Sequence, residues 1–410
     1  MKSFSEYISE AADSAQNLHM THADEDLFER GDAGANAAIE FITDFAKTVG
    51  KGETALTVKW DGAPAIFAGY DPEDGKFFVG TKSIFNKNPK LYKTANDIRA
   101  NEKGGKATKL ITALEELPKV GIPKGTVLQG DMLFTRGDQK YETIDGERYI
   151  TVHPNTIVYA WPASSDIGAK IRNANMGIVW HTTYTGRGSL QDYRAGFGVD
   201  VNKLRQTRTC WMDDAYFKGV DIAFDDKEYR DIMDLAKQAE RKIKDFDSIV
   251  TVMNSIPSAA QGAGVKTYIN SKIRGGTLPD PSTAYNEYLD YVKDYYEDKV
   301  IAKVKTDKAK EQKIVALKQL VADIKSIGPA MKRAFEFVDI ITKAKMLVIG
   351  RLNLINNQKA FVLTNTGFKT TAPEGYVAIN TKRGEAVKFV DRLEFSHFNF
   401  SSEYVKGWQR

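Results

Sequence analysis

Apolar and polar residues change their spacing several times along the chain, and each change marks a different kind of element. In "GANAAIEFITDFAKTVG" the apolar positions recur at helical spacing and Gly50 is a plausible stop, which predicts an N-terminal helical segment over residues 1–50. From residue 54 the period shortens: "ALTVKW", "PAIFAGY" and "KFFVGTK" read as strands separated by Asp-Gly and Asp-Pro-Glu-Asp-Gly turns. Lysine-rich helices are expected between 95 and 118. Strands return with "GTVLQGDMLF", "ERYITV", "NTIVYAWP" and "MGIVWHTTY". Residues 222–350 differ again, with "YRDIMDLAKQAERKIKDFDSIVTVM" and the stretch from Ser282 to Asn353 both helical in period. The Gly/Pro-rich "IPSAAQGAGVKTYINSKIRGGTLPDPS" between them reads as a break. Strand character resumes in "KAFVLTNTGFKTTAPEGYVAIN" and "EAVKFVDRLEF". The pattern predicts an α+β fold in which β-rich parts, 51–221 and 351–410, flank a helical insertion at 222–350.

Composition narrows the class without naming a function. The chain has 410 residues, 42% hydrophobic and 27% charged, as expected of a globular protein with a large core. A net charge of +4 neither establishes nor opposes nucleic-acid binding. The single cysteine, Cys210, excludes an intrachain disulfide and a cysteine-based zinc site, which fits a reducing compartment. No apolar run has the length of a membrane span or signal peptide, so a soluble cytoplasmic protein is expected.

One short stretch carries candidate chemistry. In "TVKWDGAPAIF", Lys59 stands at the end of a β-rich segment and runs straight into Trp60-Asp61-Gly62. A strand lysine ordinarily points to solvent; one held partly out of water can lose its proton and act as a nucleophile. "HMTHADEDLFE" reads as a solvated helix start with acids in its first turn, and "TYTGRGSL" lacks the P-loop lysine. From Lys82 to Lys109 there are eight basic residues against two acids, with Phe85 and Tyr92 among them. That stretch is either a solvated face or a track for a phosphate backbone, with Lys87, Lys90 and Lys93 as its contacts.

Lys59-Trp60-Asp61-Gly62 resembles the nucleophile motif of the covalent nucleotidyltransferases: ATP-dependent DNA and RNA ligases and mRNA capping enzymes. Further elements follow in that superfamily's order. Lys82 supplies a basic residue in the next hairpin, and Gly130-Asp131 stands for a strand-borne Gly-Glu. Tyr159 or Trp161 stands for the aromatic that stacks on the base. Glu374-Gly375-Tyr376-Val377 resembles the Glu-Gly element of the RNA ligase branch, and Lys388 its closing strand lysine. The chain departs from the pattern at Pro64, where ligases usually carry Arg, and at Arg392, where a second lysine is usual. The whole chain also resembles a family of large tailed-phage proteins.

The resemblance implies a nucleotidyltransferase core of antiparallel sheets around a cleft, interrupted by the helical domain. It implies ATP as substrate, with Lys59, Asp61 and Lys388 catalytic. Gly62, Lys82, Asp131, Tyr159, Trp161 and Glu374 would bind the nucleotide, and Asp131 and Glu374 would hold Mg²⁺ or Mn²⁺. Desolvation and neighbouring cations, here Lys82, Lys388 and a bound metal, would lower the Lys59 pKa. The partner would be a polynucleotide with 5′-phosphate and 3′-hydroxyl ends, in a host cytoplasm if phage-encoded. The alternatives are a capping-type or protein-modifying nucleotidyltransferase, and a catalytically silent binder of nucleic acid or of a phage-assembly partner. Because every motif lies outside 222–350, that insertion is expected to be dispensable for nucleotide transfer.

Overall fold

The computed structural model describes residues 22–49, 54–217, 223–356, 358–380 and 385–407. Helix α1 (Leu27–Thr48) precedes β1 (Thr54–Lys59), β2 (Ala65–Tyr70) and β3 (Phe77–Gly80). The lysine-rich stretch contains α2 (Ala95–Asn101) and α3 (Gly104–Glu116). Next come β4 (Thr126–Thr135), β5 (Lys140–Ile144), β6 (Glu147–Val152) and β7 (Ile157–Pro162). The short α4 (Asp166–Asn173) leads to β8 (Met176–Thr185), β9 (Arg194–Phe197) and β10 (Cys210–Asp214). The helical region holds α5 (Asp226–Glu240), α6 (Phe246–Asn254), α7 (Val265–Arg274), α8 (Ala284–Tyr295), α9 (Asp307–Ser326) and α10 (Gly328–Ile355). The chain closes with β11 (Ala360–Thr364), β12 (Gly367–Thr371), β13 (Gly375–Asn380), β14 (Glu385–Phe389) and α11 (Arg392–Phe400).

Strands β5, β9 and β10 and helix α4 are not predicted by the sequence pattern, and two segments take a form other than the expected one. The Gly/Pro-rich break contains α7, whose Val265, Tyr268, Ile269 and Ile273 fall at helical spacing and are buried. "DRLEF" leaves the strand pattern because Asp391 caps a helix, its carboxylate accepting from the backbone N–H groups of Leu393 and Glu394 at 3.1 Å.

The strands form three sheets, antiparallel except where β10 runs parallel to β8. The first sheet is β1-β13-β14, the second β10-β8-β4-β2-β3 with β9 on β8, and the third β12-β11-β7-β6-β5. Register assigns the two faces of the first sheet. Thr57 pairs with Val377 and Val377 with Lys388, so these share one face; Lys59, two residues beyond Thr57, belongs to it too. The other face carries Leu56, Val58, Tyr376, Ala378 and Phe389, and it is buried.

That buried face is covered by the helices. One continuous hydrophobic cluster joins α1, the helical region and the apolar face of the β1-β13-β14 sheet. Phe389 is fully buried and its ring lies 6.2 Å from Phe41 and 5.2 Å from Phe45 of α1. The packing therefore cuts across the boundaries read from the sequence: residues 222–350 cover the back of the strand that carries Lys59. Removing them would strip this sheet of its core. Phe389→Ala is expected to destabilise the whole chain by about 3–5 kcal/mol, measured by urea unfolding as a single shifted transition. A loss confined to the β-rich part, with the helices unfolding separately and unchanged, would contradict a shared core.

Candidate functional site

Lys59 ends β1 opposite Gly375, which places Glu374, the residue before β13, beside it. The Lys59 ammonium is ion-paired with Glu374 Oε1, and about a third of the lysine side chain (32%) remains exposed. Gly375 has φ 155°, and a Cβ there would sit 2.5 Å from the Phe389 carbonyl oxygen, so the Glu-Gly pair needs its glycine for the approach of β14. Lys388 stands on the same face one strand further.

Residues 60–64 cross from the first sheet to the second. Ala63 N–H donates to the Met132 carbonyl at 2.9 Å and Met132 N–H to the Pro64 carbonyl at 3.1 Å, so the crossing chain lies along β4. Gly62 is needed for that approach, because a Cβ would lie 2.7 Å from Asp131 Cβ. The glycine thereby lets the crossing chain pack directly on Asp131.

Asp61 is buried, and its carboxylate is used up inside the protein. It accepts from Asn155 Nδ2 at 2.6 Å and from the backbone N–H groups of Thr156 and Ile157 at 2.8 and 3.1 Å. The Asp61 N–H donates to the Tyr159 hydroxyl at 2.6 Å. Asp61 thus positions the crossing chain against the start of β7, where a direct catalytic contact was expected. Tyr159 is fully buried, with its ring 4.7 Å from that of Trp60, and offers no free face to a base. Trp161 is half-buried and packs 5.7 Å from the Trp211 ring.

The charges around Lys59 set each other's protonation. Burial pushes the Asp131 carboxyl up to about 7, with Lys59 opposing and Asp61 adding to the rise. Burial likewise raises Glu374 to about 7 against the pull of Lys59. Burial alone would lower the Lys59 pKa, but Glu374, then Asp131 and Asp61, outweigh it and hold Lys59 above its ordinary value. Of the causes expected to lower it, burial acts in that direction, and the carboxylates outweigh it. Lys82 is exposed at the start of a 3-10 turn and does not line the cavity beside Lys59. Lys388 is the residue whose pKa falls, through burial and then the Lys59 charge.

Sequence reasoning missed several residues here. Gln129 of β4 pairs with Thr182 and Gly130 with Trp180, leaving His181 as the extra residue of a β-bulge. Its Nε2 lies 3.7 Å from Asp131 Oδ2, and burial followed by the Lys59 charge lowers its pKa to about 4, so the imidazole is neutral. A bulge leaves no composition signal. Asp24 and Glu25, expected on a solvated helix start, are buried against Lys345 and Arg392. They hold His22 next to Lys388, with which it forms an isolated parallel bridge. A cavity of about 340 Å³ opens beside Lys59, Glu374 and Lys388, bounded by His22, by Asn270 and Arg274 of α7, and by α11. Small-molecule sites run from roughly 300 to 1,000 Å³.

The chain belongs to DUF6267, a family of unknown function, which it matches over residues 17–404. Comparison with curated proteins and with solved structures returns no match. The family match spans every residue around the cavity, from His22 to Phe400.

Among the described residues no three His, Cys, Asp or Glu side chains group as a metal cage. Asp131 and Glu374 instead flank Lys59 as two separate oxygen donors. In the basic stretch Lys87 and Lys90 are exposed, whereas Lys93 is ion-paired with Asp71 at 2.5 Å and Asp74 at 2.9 Å. Lys109 is turned inward, donating to the Ala63 carbonyl at 2.8 Å. The expected phosphate track therefore loses Lys93 as a free contact. No helix among the described residues is long and apolar enough to cross a membrane.

Asp61→Ala would leave three buried donors without acceptors. It is expected to cost about 3 kcal/mol or more in urea unfolding, the sum of unsatisfied donors at about 1–3 kcal/mol each. A purely catalytic Asp61 would leave the unfolding midpoint in place.

Proposed function

We propose that the chain is an ATP-dependent nucleotidyltransferase of the polynucleotide-ligase type, working through a lysyl-AMP intermediate on Lys59. The observation that carries the reading is the placement of Lys59: at a strand end, paired with Glu374 just ahead of the adjacent strand, near Asp131, and beside Lys388 at a cavity of ligand size. The antiparallel sheets around this point support the proposal that they form a nucleotidyltransferase core.

In this reading Lys59 Nζ attacks the α-phosphorus of ATP, an N–P bond forms, and pyrophosphate leaves with the electrons of the broken P–O bond. The proton Lys59 sheds has its nearest acceptor in Glu374, whose carboxyl is raised to about 7 and already touches the ammonium. Lys388, half-buried and on the same face, supplies positive charge to the phosphate as negative charge builds there. Two half-buried carboxylates, with no third His, Cys, Asp or Glu grouped with them among the described residues, suit a divalent cation that keeps several waters. Asp131 and Glu374 would hold Mg²⁺ or Mn²⁺, which would supply positive charge to the transferred phosphate. Glu374 would take the Lys59 proton on the oxygen that pairs with the lysine, Oε1, and leave its other oxygen for the ion. The 5′-phosphate of a polynucleotide would then take AMP from Lys59, and a 3′-hydroxyl would displace it.

The paired, charged state of Lys59 also favours a second reading, a silent descendant that binds nucleotide or nucleic acid without transfer. A capping-type enzyme differs from the main reading in taking GTP. The protein incubated with α-labelled ATP or GTP and Mg²⁺, then denatured, separates all three. Acid-labile, alkali-stable label from ATP is expected, absent in Lys59→Ala. Glu374→Ala and Lys388→Ala should label at least ~10²-fold more slowly. Equal labelling of wild type and Lys59→Ala overturns the assignment, and binding without label selects the silent reading.

The exposed Lys87 and Lys90 are proposed contacts for the polynucleotide backbone. Replacing both by Gln should weaken single-strand binding for all sequences alike. The slope of log K against log salt should become shallower by about 1.4, at ~0.7 per contact. An unchanged slope returns the stretch to a solvated face.

A further inference from the structure

The wall of the cavity facing away from Lys59's strand comes from α7 and α11, and it is cationic. Lys59, Arg274, Lys388 and Arg392 line the cavity against one acid, Glu374. Glu374 is committed to Lys59, and Arg392 to Glu25. Lys388 feels the Glu374 charge without a direct ion pair to it, and Arg274 faces solvent at the cavity rim. Arg274 lies over the Phe400 ring, its guanidinium carbon 5.4 Å from the centroid, which fixes the head group while leaving its N–H donors unused. Arg392 donates to Asn270 Oδ1 at 2.7 Å and so locks α11 to α7 at this wall.

A second observation points the same way. His22 lines the cavity, and its Nδ1 is buried with no hydrogen-bond partner among the described residues. Burial holds its pKa down at about 3, Asp24 opposing and the surrounding cations assisting, so the ring is neutral. A half-buried lysine and an orphaned buried imidazole share the cavity with a solvent-facing arginine. The two buried groups are costly unless something with several acceptor oxygens binds between them, and the arginine adds a fork of donors for an anion.

We propose that the cavity between the α7–α11 wall and β14, with Arg274 on the wall, Lys388 and His22 opposite and Arg392 as the wall's anchor, is a subsite for a phosphate-bearing ligand. The inference rests on the reading of Lys59 as a nucleotidyl acceptor and deepens it. The phosphates bound there are either the pyrophosphate half of the triphosphate or the 5′-phosphate end of the polynucleotide. In either case the helical region supplies part of the site, and its arginine selects the ligand.

The test measures binding rather than transfer. Wild type, Lys59→Ala and Arg274→Gln are titrated with inorganic pyrophosphate by calorimetry, and separately with 5′-phosphorylated and 5′-hydroxyl oligonucleotides of one sequence. Arg274 is exposed at the end of α7, so its replacement leaves the fold intact, which an unchanged thermal transition verifies. Wild type and Lys59→Ala should both bind, and Arg274→Gln should bind at least ~10-fold more weakly, the scale of one charged hydrogen bond. If pyrophosphate responds, the wall holds the leaving group; if only the 5′-phosphorylated oligonucleotide responds, it holds the polynucleotide end. Neither ligand responding to Arg274→Gln overturns the subsite. Labelling of Lys59 with no Arg274 effect on binding would sink the subsite alone. Arg274-dependent binding without labelling would sink the nucleotidyltransfer reading alone.

Discussion

A single buried carboxylate fixes how the three sheets meet. Asp61 accepts three hydrogen bonds from residues 155–157 at the start of β7, while its own N–H is held by Tyr159. The chain on one side of it belongs to β1, and the chain on the other side lies along β4. One residue therefore joins the first, second and third sheets, and a charge so deeply placed is tolerable only with its acceptor capacity filled. Lys59, two residues earlier, and Asp131, packed under Gly62, inherit their relative position from this junction.

The electrostatics around Lys59 follow from that geometry. Bringing two carboxylates into a partly dry site raises both and makes the lysine between them more basic. Without a ligand the arrangement is a stable ion pair. Anything that took up the carboxylate charge would lower the Lys59 pKa again, because burial by itself favours the neutral amine.

The helical region has two roles that its sequence does not advertise. Its apolar face shares one core with α1 and the back of the β1-β13-β14 sheet, which makes it part of the support for Lys59 and Lys388. Its α7 reaches round to the cavity, where Asn270 meets Arg392. Support for the sheet and a wall of the cavity come from the same chain segment. A helical insertion that merely decorated the β-rich core would do neither.

The periodicity of apolar residues was enough to place most elements and the α+β class, because burial of one face imposes a period of two or 3.6 on any chain. The strand-end position of Lys59 and the strand carrying Lys388 were legible for the same reason. Helix α7 was not, since the glycines and prolines flanking it outweighed four buried apolar positions. Asp61 and Tyr159 looked like site residues by type and order, yet their partners lie some 94 and 98 residues away along the chain, across the junction they form. His22 and His181 gained their places from a salt-bridged N-terminal segment and a β-bulge, neither of which changes local composition. Sequence order states which groups exist and which face of an element they occupy. Pairing between distant segments decides which charges are neutralised and which remain open to a ligand, because that depends on distances no local pattern encodes.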